Sequence, residues 1–224
     1  MILVFDLDST LYDESSYVSS GLRAVARHLK ETFNLEENEV YDHMEKILAE
    51  QGRGKIFDEV LQAHQKLSRK NIRKCLSVYR LHTPELSLSP DAERCLERFS
   101  DQNMYVVTDG NKIVQSKKAR ALGLDNKVKR IFITHRYGRH NAKPSTFCFK
   151  KIAKIENVPS NMVVYIGDDP RKDFVNLKPA GFKTVRILKG PYKDLRADSQ
   201  YDALISIESL DELDDVLLSK LEND

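Results

Sequence analysis

The chain has 224 residues, 41% hydrophobic and 31% charged, with a net charge of +2 from 36 basic and 34 acidic side chains. That length allows one large domain or two modest ones, with a core that needs no disulfide or zinc staples. The near balance of charge gives no bulk electrostatic drive toward nucleic acid or an anionic membrane. The three cysteines, Cys75, Cys95 and Cys148, lie far apart with no CxxC or Cys/His spacing, so free thiols in a reducing compartment are expected. The apolar start Met1 to Phe5 turns acidic too soon for a signal peptide, and no run approaches the ~18 apolar residues of a membrane span. A cytoplasmic protein is expected.

The first element, "ILVFDL", is an apolar run without alternation, which suits a strand buried on both faces. From about residue 14 to 82 the pattern is helical throughout. Leu22, Val25, Ala26 and Leu29 fall at helical spacing, as do Val40, Met44, Ile47 and Leu48, and then Ile56, Val60, Leu61 and Leu67. "RKNIRKCLSVYRLH" adds a further short helix. "TPELSLSP", with its two prolines and two serines, marks a linker. Beyond it, strand and helix alternate. Strands are predicted at "MYVVTDG", "VKRIFIT", "NMVVYIGDD", "KTVRIL" and "YDALISI", and helices at "DAERCLERFS", "NKIVQSKKARALGL", "PSTFCFKKIAKIENV", "RKDFVNLKPAGF" and "LDELDDVLLSKL". Alternation of this kind implies right-handed crossovers and a parallel sheet covered on both faces. The predicted architecture is α/β: a Rossmann-like, doubly wound core from residues 1–13 and 83–224, with an all-helical cap inserted at 14–82.

Ligands of such sheets bind beyond the carboxyl ends of the strands, and here those ends are chemically loaded. The first strand ends in Asp6 and Asp8, the second in Thr108, Asp109, Gly110 and Asn111. Lys143 follows the third. Asp168 and Asp169 end the fourth, with Asp173 further on. Any one of these reads equally well as a solvated turn or a helix cap. Together they are complementary. Carboxylates hold a hard cation such as Mg²⁺. A lysine and a hydroxyl beside free amides hold phosphate. The set describes metal-assisted phosphoryl transfer.

"DLDST", "TDGN", "AKP" and "GDDPRKD" resemble, in order, the four motifs of the haloacid dehalogenase superfamily, and the resemblance covers essentially the whole chain. The helical insertion between the first two motifs resembles the C1 cap of its subfamily I. The resemblance implies that Asp6 is a nucleophile forming an aspartyl-phosphate, and that Asp8 protonates the leaving group and later activates water. It implies that Thr108 and the amides of Asp109 and Gly110 hold phosphate oxygens while Lys143 stabilises Asp6. Mg²⁺ would lie between Asp6, the carbonyl of Asp8, and Asp168, with Asp173 as outer partner; Asp169 is an adjacent alternative. Members that cleave carbon–halogen bonds lack the second acid, so Asp8 favours phosphate esters.

The implied activity is hydrolysis of a small phosphorylated metabolite, a nucleoside monophosphate or a sugar phosphate, by a monomer or homodimer without nucleic-acid or membrane partners. A phosphosugar mutase of the same fold and a non-catalytic phospho-acceptor module are the alternatives. A receiver module needs neither Asp8 nor a cap. Arg53 and Lys55, in the glycine-broken "QGRGK", and Arg136, Arg139 and His140, after the third strand, are candidate substrate contacts. Solvated loops are the simpler reading of both.

Overall fold

The computed structural model describes residues 1–223. Strands β1 (Ile2–Phe5), β2 (Met104–Thr108), β3 (Arg130–Ile133), β4 (Val163–Gly167), β5 (Lys183–Ile187) and β6 (Ile205–Ile207) form a sheet of order β3-β2-β1-β4-β5-β6. Every pairing is parallel, with Val4 opposite Tyr105 on one side and Tyr165 on the other. Helices α1 (Glu14–Phe33), α2 (Glu37–Gln51), α3 (Ile56–Ala63) and α4 (Arg69–Leu81) follow β1, and α5 (Pro90–Arg98) precedes β2. Then α6 (Lys112–Ala121), α7 (Phe147–Glu156) and α8 (Asp215–Asn223) alternate with the later strands.

The chain divides into two compact units, Met1–Glu14 with Leu86–Asp224, and Ser15–Glu85. In the α/β unit the sheet is buried on both faces, which explains why its strands carry no polar alternation. Val4, Tyr105, Val107, Val163 and Tyr165 pack on one side against Phe149 and Ile152 of α7 and against Phe174, Leu177 and Phe182. The intervening residues Leu3, Phe5, Val106, Val164 and Ile166 are equally buried. The helical unit has its own core, in which Leu22, Val25 and Leu29 of α1 meet Val40, Met44 and Ile47 of α2, Val60 and Leu61 of α3, and Cys75 of α4. Gly21 lets α1 and α4 touch, since a β-carbon there would fall 2.4 Å from the Tyr79 ring. All three cysteines are free and buried. No helix among the described residues is long and apolar enough to cross a membrane.

One predicted helix is absent. Residues 171–182 form successive turns rather than a helix. Asp173 N reaches Asp169 O (2.9 Å), but Leu177, Ala180 and Gly181 each bond only three residues back. Pro179 interrupts the segment at its C-terminal end. It has no N–H to donate and disfavours helical geometry at Lys178. The turns still bury Phe174 and Leu177 in the core, so the apolar spacing that suggests a helix serves packing here.

Candidate active site

The sheet order puts β1 in the middle, with β2 and β4 on either side, and the chain reverses its direction of winding between β1 and β4. The crevice at such a switch point is where these sheets take ligands. Asp6 is held at that point by its own N–H, which donates to Ile166 O of β4 (2.8 Å). Asp168 leaves the end of β4 beside it. Asp173 returns on the turn that follows, and Gly167 makes that return possible: a β-carbon at 167 would lie 2.5 Å from Asp173 Oδ2. All three acids are buried, and a carboxylate oxygen from each lies within 4.8 Å of the others.

Lys143 answers this negative charge. Its Nζ lies 2.9 Å from Asp6 Oδ1 and 2.8 Å from Asp173 Oδ1, and it donates to the Tyr165 hydroxyl at 2.8 Å. An ammonium has three protons, and these three acceptors account for them. Tyr165 in turn donates to Asp173 Oδ1 (3.2 Å), while Asp173 Oδ2 accepts from Asp169 N (2.9 Å). Asp173 thus accepts three hydrogen bonds, as befits a carboxylate that orients others. Burial pushes the Asp6 carboxyl up to about 6, against the pull of Lys143 and with help from Asp173. Burial and the neighbouring Asp6 and Asp173 raise Asp168 to about 8. Lys143 is raised in spite of its burial, because Asp173 and Asp6 flank it. A cluster of oxygen donors whose members resist ionising together suits a hard divalent cation. These residues therefore fit Mg²⁺.

Asp109 contributes a carboxylate as well as an amide. Its Oδ1 accepts from Thr134 Oγ1 (2.6 Å) and from Lys143 N (3.1 Å), which ties the β2 loop to the loop that carries the lysine. Asp8 points elsewhere than Asp6. Its carboxylate receives Lys118 Nζ (2.7 Å), Gln115 Nε2 (2.8 Å) and the Tyr12 hydroxyl. Burial opposes its ionisation, but Lys118 and these donors hold it below the usual carboxylate range. Asp169 is separated from the cluster by its partner. Arg171 grips it with Nε at 2.8 Å and Nη2 at 2.9 Å, so of the two candidates Asp173 is the one that joins Asp6 and Asp168. Arg136 reaches Ser116 Oγ of α6 (2.7 Å), and Arg139 and His140 are exposed. Arg53 and Lys55 lie exposed in the turn between α2 and α3.

The family model of haloacid dehalogenase-like hydrolases matches residues 1–181. The chain belongs to that family. Among curated relatives it is 32% identical to glyceraldehyde 3-phosphate phosphatase of Methanocaldococcus jannaschii, over 96% of each chain. It is 26% identical to the enzyme of the same name from Pyrococcus furiosus, over 96% of this chain and 92% of that one. Solved structures share the fold of this haloacid dehalogenase-like chain. They include a HAD phosphatase from Thermococcus onnurineus (TM-score 0.60, 21% identity, 96% and 97% coverage). A 2-haloacid dehalogenase from Pseudomonas syringae matches too (TM-score 0.65, 19% identity, 98% of each chain).

Sequence reasoning misses Gln115, Lys118, Tyr12 and Tyr165. Gln115 and Lys118 sit three apart on α6 and so share a face. In a segment reading "QSKKAR" they look like solvent. Tyr165 hides within an apolar strand run, where its position opposite Val4 places its body in the core and its hydroxyl at the lysine. A usable signal exists for one of them: a tyrosine in a strand buried on both faces needs a partner for its hydroxyl.

Proposed function

We propose that the chain hydrolyses small phosphomonoesters, triose phosphates such as glyceraldehyde 3-phosphate among them, through a phosphoryl group carried on Asp6 and with Mg²⁺ as cofactor. It is a phosphatase of the haloacid dehalogenase-like family. The observation that carries the finer reading is the buried set of Asp6, Asp168, Asp173 and Lys143 at the switch point of the sheet. The names of the relatives supply the substrate class.

Asp6 attacks phosphorus and the ester oxygen leaves, so one difficult displacement becomes two easier ones. Lys143 offsets charge on the nucleophile and on the transferring group. Thr108 and the amides of Asp109 and Gly110 receive phosphate oxygens. Asp8, paired with Lys118 in the substrate-free chain, takes up a proton as the anionic substrate binds, gives it to the departing alkoxide, and then takes one from the water that cleaves the acyl phosphate. Its presence separates this chain from the carbon–halogen branch of the family. Asp6, the Asp8 carbonyl and Asp168 would hold Mg²⁺, with Asp173 orienting them. The ion would offset the repulsion between an anionic substrate and an anionic nucleophile. The helical unit, inserted directly after the Asp6–Asp8 loop, acts as a cap that selects substrate.

The test is phosphate release from glyceraldehyde 3-phosphate, nucleoside monophosphates and hexose phosphates, with MgCl₂ or with EDTA. Turnover of the triose phosphate that EDTA abolishes is expected. Phosphate release unaffected by EDTA, or release from none of these esters, overturns the reading.

A further inference from the structure

Helix α6 carries an arm that joins two groups with different duties. Gln115 is buried, and its Nε2 lies 2.8 Å from Asp8 Oδ2 and 2.6 Å from Thr108 Oγ1. Lys118, on the same face of the helix, holds the other Asp8 oxygen, Oδ1, at 2.7 Å. The helix start is fixed by Asn111, whose Oδ1 accepts from Ile113 N (2.9 Å) and Val114 N (3.4 Å). Gly110, at φ +129°, leaves room for the arm. A β-carbon there would press on Gln115 Cγ at 3.3 Å and Cδ at 3.4 Å.

The chemistry of the amide decides what this arm does. A carboxylate that already accepts from an ammonium offers its second oxygen as an acceptor, so the Gln115 group facing it is the NH₂. An NH₂ has two protons. One goes to Asp8 Oδ2 and the other to Thr108 Oγ1. The Thr108 oxygen is therefore an acceptor in this contact, and its single hydroxyl proton is left for another partner. We propose that Gln115 is a positioning residue that fixes the polarity of the Thr108 hydroxyl, so that its proton is presented to the substrate phosphate, while the same amide aligns Asp8. The inference rests on the reading above that Thr108 holds phosphate. Without Gln115 the hydroxyl loses the donor that fixes it and is free to rotate its proton away, an orientation that sets a lone pair against the incoming anion.

The test uses inorganic phosphate as a competitive inhibitor of aryl phosphate hydrolysis by the Mg²⁺-loaded full chain. It compares wild type, Gln115→Met, Gln115→Glu, Thr108→Val and the double variant Gln115→Met with Thr108→Val. Met keeps the length of the side chain; Glu keeps its shape and exchanges the donor for an acceptor. Calorimetric melting confirms that each variant is folded, and the two Gln115 variants are independent readouts. Phosphate inhibition is expected to weaken about tenfold in Gln115→Met and further in Gln115→Glu, the size of one hydrogen bond to a charged group. In the Thr108→Val background, Gln115→Met is expected to add less than about twofold, because the group it acts through is gone. A structural role would give additive losses instead. Additive losses, or wild-type phosphate inhibition in Gln115→Met alongside a weakened Thr108→Val, overturn the proposal alone. Unchanged phosphate inhibition in Thr108→Val overturns the phosphate-site reading, and this inference with it.

Discussion

Lys143→Met exposes the charge balance of the site directly. The lysine side chain is 1% exposed, and its ammonium lies within 2.9 Å of both Asp6 and Asp173. Met preserves most of the volume and removes the charge. Removing one partner of a buried ion pair costs about 3–5 kcal/mol, because the other is left without compensation. For a chain of this size each kcal/mol moves the melting temperature by about 2–4 °C, so the metal-free variant is expected to melt about 6–20 °C lower at pH 8.5. At pH 5 the loss is expected to shrink. Asp6, raised to about 6, and Asp168, raised to about 8, are then protonated and ask for no counter-charge. The assay is scanning calorimetry in EDTA at the two pH values, since the chain has no tryptophan to report unfolding. A shift below about 2 °C, or an equal shift at both pH values, refutes the buried-charge argument.

The wild type in EDTA is expected to lose stability as pH rises from about 5 to 8.5. Carboxyls raised on folding bind protons more tightly in the folded state, so their contribution is present at low pH and disappears as pH passes the folded values of about 6 and about 8. Thermal melts with MgCl₂, or of Asp168→Asn, should flatten that slope; an unchanged slope contradicts the cluster. Asp8→Asn is expected to slow an alkyl phosphate by 10²-fold or more while slowing the first step on a nitrophenyl phosphate far less, because a good leaving group needs no proton; pre-steady-state nitrophenol release checks this. Arg53→Ala and Lys55→Ala are expected to reorder kcat/KM among phosphorylated metabolites while leaving nitrophenyl phosphate hydrolysis within about twofold. Equal effects on every substrate would remove these residues from substrate selection.

The parts of the site that were legible in the sequence are those where backbone geometry dictates position. A short apolar run followed by an acid reads as a strand reaching its carboxyl end, and in a parallel sheet all such ends meet on one edge. That logic finds Asp6, Thr108 and Asp168, while Lys143, well beyond the end of β3, is found through the resemblance of "AKP" to the third motif. It does not separate Asp169 from Asp173. That choice depends on how the segment after β4 turns, where Gly167 makes room for Asp173 and Arg171 draws Asp169 away. Nor does it find Gln115 and Lys118. Their helix carries three lysines and an arginine, and only packing distinguishes the lysine that faces Asp8 from its neighbours. Tyr165 and the carboxylate of Asp109 escape for the same reason, since each joins segments far apart in the chain.

The central claim is that Asp6 becomes phosphorylated during turnover. It is tested by quenching the Mg²⁺-loaded enzyme in acid during turnover of glyceraldehyde 3-phosphate, reducing with borohydride and mapping the peptides by mass spectrometry. An acyl phosphate is reduced to the corresponding alcohol, so homoserine at position 6 is expected, and none in Asp6→Asn. Full turnover with position 6 recovered only as aspartate, or with the reduced residue at another position, would contradict the account.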